Sequence, residues 1–112
     1  MGHASTSSAN PQTIAEWRDH IDALDRQLVS LLSQRARAAQ AIGQLKRNSD
    51  LPVYEPNREK IILANVSANN PGPLPGTELQ HIYERIIDVM RALQRDQLTA
   101  QNSEPATTEV KP

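Results

Sequence analysis

The feature that most constrains this chain is a long apolar seam that no proline interrupts. Its residues recur at steps of three and four, except that position 35 is charged. They are Ile14, Trp17, Ile21, Leu24, Leu28, Leu31, Ala38, Ile42 and Leu45. This spacing is typical of one side of a helix that packs along most of its length. The seam therefore predicts one helix from Thr13 to about Arg47.

Both ends of this helix carry local signals. Thr13 is suited to the N-cap position, and Glu16 three residues later would complete a capping box. Asn48 begins the sequence Asn-Ser-Asp, which indicates a loop. Gly43 inside the helix costs about 1 kcal/mol relative to alanine. Because the apolar pattern resumes at Leu45, we expect the helix to continue through this glycine.

Two shorter helices follow. Pro56 suits a first helical position, and the second helix should end before Asn69. Prolines and glycines in the sequence NNPGPLPG then predict a loop, since they cannot continue a helix. The third helix should start at Thr77, where Gln80 would complete a second capping box. The predicted fold class is therefore all-α, a three-helix protomer with one long N-terminal helix.

Composition and charge restrict the domain organisation, the possible ligands and the location of this protein. Residues 13–96 form the predicted helical domain, while the polar stretches 1–12 and 97–112 are expected to be disordered tails. The chain has no cysteine and a formal net charge of −1. We therefore expect no thiolate metal site, no bound metal, no nucleic-acid partner and no membrane span. With no apolar leader at the start, the sequence predicts a cytoplasmic protein.

The length of the first helix bears on assembly. About 35 helical residues extend roughly 50 Å, whereas a compact globule of this size is roughly 35 Å across. Two short helices cannot cover so long a seam, but a second copy of the long helix could. The sequence therefore predicts an obligate homodimer in which the long helices pack together.

Position 35 of the seam is Arg35, a charged residue where an apolar one is expected. It could be a register-setting polar residue or a side chain at the rim of the interface. Lys46 follows eleven residues later, almost three whole turns, and so lies on the same helical face. Arg18 lies about 100° away around the axis. It would reach the same pocket more naturally from the other chain.

Further polar residues lie on the shorter helices. Glu55, Arg58 and Glu59 surround the first turn of the second helix, where surface ion pairs are the alternative interpretation. Gln94 shares an apolar strip with Met90 on the third helix, although a glutamine at a frayed end would be ordinary. The combination of several cations, a glutamate and an amide without a nucleophile suits a dianionic ligand. It also suits chemistry without covalent catalysis.

These residues resemble the AroQ-class chorismate mutases over about Ile14 to Gln94. The similar segments are, in order, WRDHIDALDRQLVSLLSQR, IGQLK, PVYEPNRE, and Ile86-Ile87 with Gln94 downstream. The resemblance implies two intertwined protomers that form two active sites and convert chorismate to prephenate, in phenylalanine and tyrosine biosynthesis. It implies no cofactor. Because no dehydratase, dehydrogenase or synthase domain follows, the chain is expected to be monofunctional.

The resemblance also implies roles for individual residues. Arg35 and Arg58 of one chain, with Arg18 of the other, would bind the two carboxylates of chorismate. Lys46 and Gln94 would hydrogen-bond its ether oxygen, and we expect these two, with Arg35, to carry catalysis.

Three more residues would complete the substrate pocket. Glu59 would accept a hydrogen bond from the ring hydroxyl, and Glu55 would lie near it. Met90 departs from the family pattern, because related enzymes often have a small or polar residue there. We assign Met90 to substrate binding through packing alone.

Two other functions remain open on the sequence. An isochorismate pyruvate lyase would use a similar helical scaffold and a similar dianion pocket. A non-catalytic helical dimerisation or regulatory module would form the dimer without turnover. An enzyme of the aromatic pathway is a further candidate partner.

Overall fold

The computed structural model describes residues 10–103, with side chains for residues 10–99. In this part of the chain the regular structure is helical throughout: α1 (Ile14–Lys46), α2 (Pro56–Ala68) and α3 (Gly76–Ser103). The all-α class with one long N-terminal helix is thus confirmed. The chain divides into two compact units, residues 1–35 and 36–112, and α1 runs through their boundary.

The first unit begins with the predicted capping box. The backbone N–H of Glu16 donates to Thr13 Oγ1 at 3.1 Å, and the N–H of Thr13 donates to Glu16 Oε1 at 3.1 Å. The N–H of Gln12 also donates to Glu16 Oε1, at 2.7 Å. The N–H groups of Gln12 and Thr13 hold the pKa of Glu16 below its ordinary value. The carboxylate thus satisfies N–H groups that a helix start leaves without partners.

The rest of the first unit exposes its apolar seam. The side chains of Ile14 to Leu31 on this seam are 43–70% exposed in the single chain. They are Ile14, Trp17, Ile21, Leu24, Leu28 and Leu31. Isolated surface leucines are ordinary, but a continuous row of exposed apolar side chains is uncommon on the surface of a monomeric protein.

The second unit contains a helical hairpin formed by α2 and α3. Glu59 near the start of α2 pairs with Arg91 just past the middle of α3, so the two helices run antiparallel. The loop between them turns at Gly72, whose φ of +77° favours glycine. Asn70 stabilises this turn, because its Oδ1 accepts from the N–H of Gly72 and its Nδ2 donates to Leu74 O. The predicted bounds of α2, from Pro56 to before Asn69, are confirmed.

The buried apolar residues of the described chain all lie in this second unit. Ala39 on α1 and Ile87 and Met90 on α3 are 4–6% exposed. Three such residues make a small core for a chain of this length, and a small core supplies little free energy of folding. Most of the large apolar side chains of the described residues are therefore exposed in the single chain.

The predicted start of the third helix was wrong. α3 begins at Gly76, and the N–H of Leu79 donates to Pro75 O at 3.0 Å. Thr77 is already helical and cannot act as an N-cap, since a cap residue lies outside the helix. Gln80 instead donates from Nε2 to Glu84 Oε2 within the helix. Pro75 is compatible with its place directly before the helix, because its missing N–H would have no helical partner.

The helix α3 continues to Ser103, beyond residue 96 where the predicted domain ends. Gln97 and Leu98 are half-buried, and Gln97 Oε1 accepts from Gln44 Nε2 of α1 at 3.1 Å. This contact holds the helix beyond the predicted boundary. The other residues assigned to the two tails, 1–9 and 104–112, lie outside the described residues.

Candidate active site

Three of the polar residues that the sequence singled out, Lys46, Glu55 and Gln94, meet in the second unit, where three segments converge. These segments are the end of α1, the linker that leads into α2, and the last turns of α3. Lys46 is the last residue of α1, and turns at Arg47 and Asn48 end the helix there. The helix thus delivers a lysine side chain to the point where the linker folds back.

Lys46 is the centre of this cluster. It is 5% exposed, and it is the one charged residue that is buried within the described chain. Its Nζ lies 2.6 Å from Glu55 Oε2, and it donates to Gln94 Oε1 at 2.9 Å and to Val53 O at 3.4 Å. An ammonium group has three donors, so all three are used. Burial of the charge is tolerated because a carboxylate and two further acceptors offset the desolvation.

Glu55 occupies the N-cap position of α2 but makes no capping hydrogen bond with its side chain. The carboxylate pairs with Lys46 instead, while Pro56 at the first helical position removes one N–H that would need a partner. The linker is thereby fixed at both Val53 and Glu55.

Gln94 is oriented by the same lysine. Because an ammonium group can only donate, the amide atom that faces Lys46 is the carbonyl Oε1. The amide Nε2 is therefore turned away from Lys46, and its N–H groups are available to another acceptor. A lysine and an amide that both donate to one oxygen would stabilise negative charge there.

Gly43 allows the two helices to approach closely enough for this contact. A Cβ atom at position 43 would lie 2.8 Å from Gln94 O and 2.9 Å from Gln94 Cα. It would also lie 3.1 Å from the Cβ of Gln97. Backbone atoms cannot move aside as a flexible side chain can, so glycine is required here. The turn of α1 that contains Gly43 therefore sets the distance between Lys46 and Gln94.

A second ion pair lies beside the first. Glu59 accepts from Arg91 through both carboxylate oxygens, at 2.8–2.9 Å. Arg91 also donates to Asp88 at 3.2 Å, and its guanidinium lies over the Tyr54 ring, 5.2 Å from the ring centroid. The hydrogen bond to Glu59 raises the pKa of Arg91 above its ordinary value. Charge-assisted, two-pronged pairs of this kind are among the stronger polar contacts in proteins.

Sequence reasoning missed Arg91. The residue follows Met90 and lies about 100° around α3 from it, where a solvated side chain is expected. Its neighbour Asp88, three residues earlier, was the available signal, since it indicated an intrahelical ion pair. The contact with Glu59 depends on the packing of α2 against α3.

The remaining predicted residues are not part of this cluster of contacts. Arg58 on α2 is exposed, and Met90 is buried in the small core. Arg18 is exposed and Arg35 is half-buried, and both lie in the first unit. None of the three arginines makes a hydrogen bond or an ion pair with another residue in the described part of the chain. Their predicted role as carboxylate ligands stays a prediction.

None of the helices between residues 10 and 103 is long and apolar enough to cross a membrane. Among these residues, no group of three histidine, aspartate or glutamate side chains is placed to hold a metal ion.

Comparison with known proteins identifies relatives of this arrangement. A bifunctional chorismate mutase/prephenate dehydratase of Aquifex aeolicus is 33% identical over 88 residues, or 75% of this chain and 24% of the relative. The chain thus spans about a quarter of the length of that curated relative.

Two solved structures match over most of their own length. Chorismate mutase (Form II) from Thermus thermophilus gives a TM-score of 0.74 at 35% identity, covering 77% of this chain and 98% of that one. Chorismate mutase from Helicobacter pylori in complex with prephenate gives 0.69 at 34% identity, covering 77% and 93%. The family model "Chorismate mutase type II" matches residues 17–95, which include Lys46, Glu55, Glu59 and Gln94. The chain belongs to the chorismate mutase type II family.

Proposed function

We propose that this protein is an isomerase that rearranges chorismate to prephenate, in the biosynthesis of phenylalanine and tyrosine. The observation that carries the proposal is the buried Lys46, which holds Gln94 so that its amide N–H groups are free to donate. Family membership and the Helicobacter pylori relative solved with prephenate support the assignment of the substrate.

The rearrangement is a concerted [3,3] shift, in which one C–O bond breaks while one C–C bond forms. It needs no protein nucleophile, and the cluster offers none. During the shift, negative charge grows on the ether oxygen as its bond to the ring breaks. Donors that bind this charge more strongly than the ground-state ether lower the barrier.

Lys46 and Gln94 are the proposed donors to that oxygen. Gln94 can donate from Nε2 without giving up its contact with the lysine. Lys46 must exchange one of its three partners, and Val53 O at 3.4 Å is the most distant. Because Glu55 and Gln94 hold the ammonium at 2.6 and 2.9 Å, the exchange can take place without loss of its position.

The arginines are proposed to bind the two carboxylates of the substrate. Arg35 and Arg58 would do so from one chain, and a bidentate guanidinium would fix the conformer in which the reacting carbons meet. Glu59 is proposed to accept from the ring hydroxyl, with Glu55 near it. Met90 would contribute only packing, which agrees with its burial.

We further propose that the active protein is an intertwined homodimer and that Arg18 reaches the site from the partner. The exposed apolar seam of the first unit supports this proposal, because a surface of that size is expected to be covered. An isologous contact between two copies of α1 would cover it on both chains at once.

Consumption of chorismate by the purified protein tests the proposed reaction. We expect chorismate absorbance to fall, and phenylpyruvate to appear after acid treatment of the product. Isochorismate supplied in parallel should be consumed much more slowly. Release of pyruvate from isochorismate with chorismate untouched would instead indicate a lyase. No turnover of either compound by a folded dimer would indicate a binding module.

A further inference from the structure

We propose that Arg91 is a positioning residue that holds the Glu59 carboxylate ready for the ring hydroxyl of the substrate. This inference rests on the proposed mutase function, in which Glu59 accepts from that hydroxyl. Arg91 lies on α3 and Glu59 in the first turn of α2, so the contact also joins the two helices. Both side chains are 22% exposed, so the pair lies at the edge of the buried region.

The geometry of the pair is that of a fork. Arg91 Nε donates to Glu59 Oε2 at 2.9 Å, while Nη2 donates to Oε1 at 2.9 Å and to Oε2 at 2.8 Å. A planar guanidinium that meets both carboxylate oxygens fixes the rotation of the carboxylate as well as its position. A glutamate without this partner would sample several rotamers, and ordering it would cost conformational entropy.

Arg91 is itself held on its remaining sides. Its Nη1 donates to Asp88 Oδ1 at 3.2 Å, and the Tyr54 ring lies 5.2 Å from the guanidinium carbon. Its forked edge is occupied by Glu59. With Nε and Nη2 engaged by Glu59 and Nη1 by Asp88, the guanidinium has no edge on which both nitrogens lack a partner and could clamp a substrate carboxylate. The geometry favours an effect on the substrate through Glu59.

Glu59 keeps the capacity that its role needs. An ionised carboxylate has about four lone-pair sites, and the three contacts with Arg91 leave about one of them open. That site can accept a hydrogen bond from the hydroxyl group of the substrate. Orientation by Arg91 would aim it before the substrate arrives, and preorganisation of this kind raises the rate without added binding contacts.

Charge gives a second reason for the pair. A bare Glu59 carboxylate would repel a substrate that carries two carboxylates of its own. Arg91 neutralises this charge locally, so that a hydrogen-bond acceptor can face a dianion. Removal of Arg91 should therefore raise KM by restoring the repulsion and lower kcat by releasing the carboxylate.

A double-mutant cycle with Arg91→Met and Glu59→Gln tests whether Arg91 acts through Glu59. We expect Arg91→Met to lower kcat/KM for chorismate by about 10- to 100-fold, the size expected for a misplaced site group. In the Glu59→Gln background the same change should alter kcat/KM by less than about threefold, because the carboxylate that Arg91 orients is absent. Arg91→Lys, which keeps the charge and loses the fork, should recover KM more than kcat.

Arg85→Met serves as the matched control, since Arg85 is an exposed arginine on the same helix. It should leave kcat/KM within about twofold of the wild type. Circular dichroism and thermal unfolding show whether each variant folds. If Arg91→Met does not fold, Arg91→Lys takes its place in the cycle.

An equal loss from Arg91→Met with and without Glu59 would overturn the positioning role while leaving the mutase function intact. A wild-type protein that does not consume chorismate would overturn the mutase function, and the positioning role would fall with it. A loss of kcat/KM from Arg91→Met that occurs when Glu59 is intact, and not in the Glu59→Gln protein, supports the proposal.

Discussion

At the scale of single residues, the buried ammonium of Lys46 determines what its neighbours can do. It neutralises Glu55, fixes the linker at Val53 and sets the direction of the Gln94 amide. One side chain thereby connects all three segments of the cluster. The arrangement balances the charge of Lys46 with that of Glu55 before substrate binds, and it leaves the Nε2 hydrogens of Gln94 to donate elsewhere.

Substitution of Lys46 by alanine should lower kcat by about 10²- to 10³-fold, as for loss of one donor to a developing oxyanion. KM should change less, because the charge on the ether oxygen grows only in the transition state. Steady-state kinetics with chorismate measure this. Lys60→Ala, at an exposed lysine on α2, is the control and should retain wild-type kinetics. Near-normal turnover by a folded Lys46→Ala protein would refute the assigned role.

The sequence predicted that Lys46, Glu55 and Gln94 lie in one pocket, but it predicted none of the contacts among them. Helical spacing placed Lys46 on a site-facing side of α1, and the resemblance added Glu55, Glu59 and Gln94. The lysine proved to bind Glu55 directly, although the two were assigned separate roles. This pairing depends on how the linker folds back after α1, and no periodic pattern in the sequence encodes that path.

At the scale of elements, the close approach of α1 and α3 at Gly43 controls the site. Gly43→Ala should lower the free energy of unfolding by about 1–3 kcal/mol, since a Cβ atom would overlap the backbone of Gln94. It should also lower kcat by displacing the Gln94 amide. Chemical denaturation and kinetics measure the two effects.

Gly76→Ala is the matched control for this change. A Cβ at Gly76, the first residue of α3, would meet no atom within 4 Å. That variant should be neutral or slightly more stable, because alanine restricts the unfolded chain more than glycine does. If Gly43→Ala matched Gly76→Ala in both stability and turnover, the proposed spacing constraint would be wrong.

The start of α1 should show a pH-dependent contribution to stability. Because backbone donors lower the pKa of Glu16 in the folded state, this group binds protons more weakly folded than unfolded. Its stabilisation is complete above the unfolded value of about 4.5 and is lost as the pH falls through the lower folded value.

Comparison of Glu16→Gln with the wild type tests this contribution. The wild type should be the more stable at pH 7, and the difference should shrink steadily below the unfolded pKa of about 4.5. Glu84→Gln, at a glutamate with no backbone partner in the described chain, is the control. A stability difference that did not depend on pH would show that the Glu16 charge contributes nothing to the helix start.

The elements were more predictable than their ends. α1 and α2 follow the sequence closely, because apolar periodicity and a first-turn proline act locally. The start of α3 was misassigned because Thr77 offered a capping box, yet Pro75 and Gly76 form the helix start instead. Its end was misassigned because the polar residues after Asp96 gave no signal of the contact between Gln97 and α1.

At the scale of the whole molecule, the exposed seam of α1 carries the dimer proposal. Leu28→Glu should dissociate the dimer and abolish turnover, since a carboxylate in an apolar contact is costly to desolvate. Size-exclusion chromatography with light scattering measures the mass. Ser33→Glu, about 140° around α1 from Leu28, should leave both mass and turnover unchanged. A Leu28→Glu protein that remained an active dimer would place the interface elsewhere.

The most direct test of a shared active site mixes two inactive variants, Arg18→Ala and Lys46→Ala, under conditions that exchange subunits. If Arg18 acts on the Lys46 cluster of its partner, each mixed dimer contains one site with both residues intact. We expect recovery of about a quarter of wild-type turnover, since half of the dimers are mixed and each has one of two sites restored. No recovery, with mixed dimers demonstrated by mass, would contradict it.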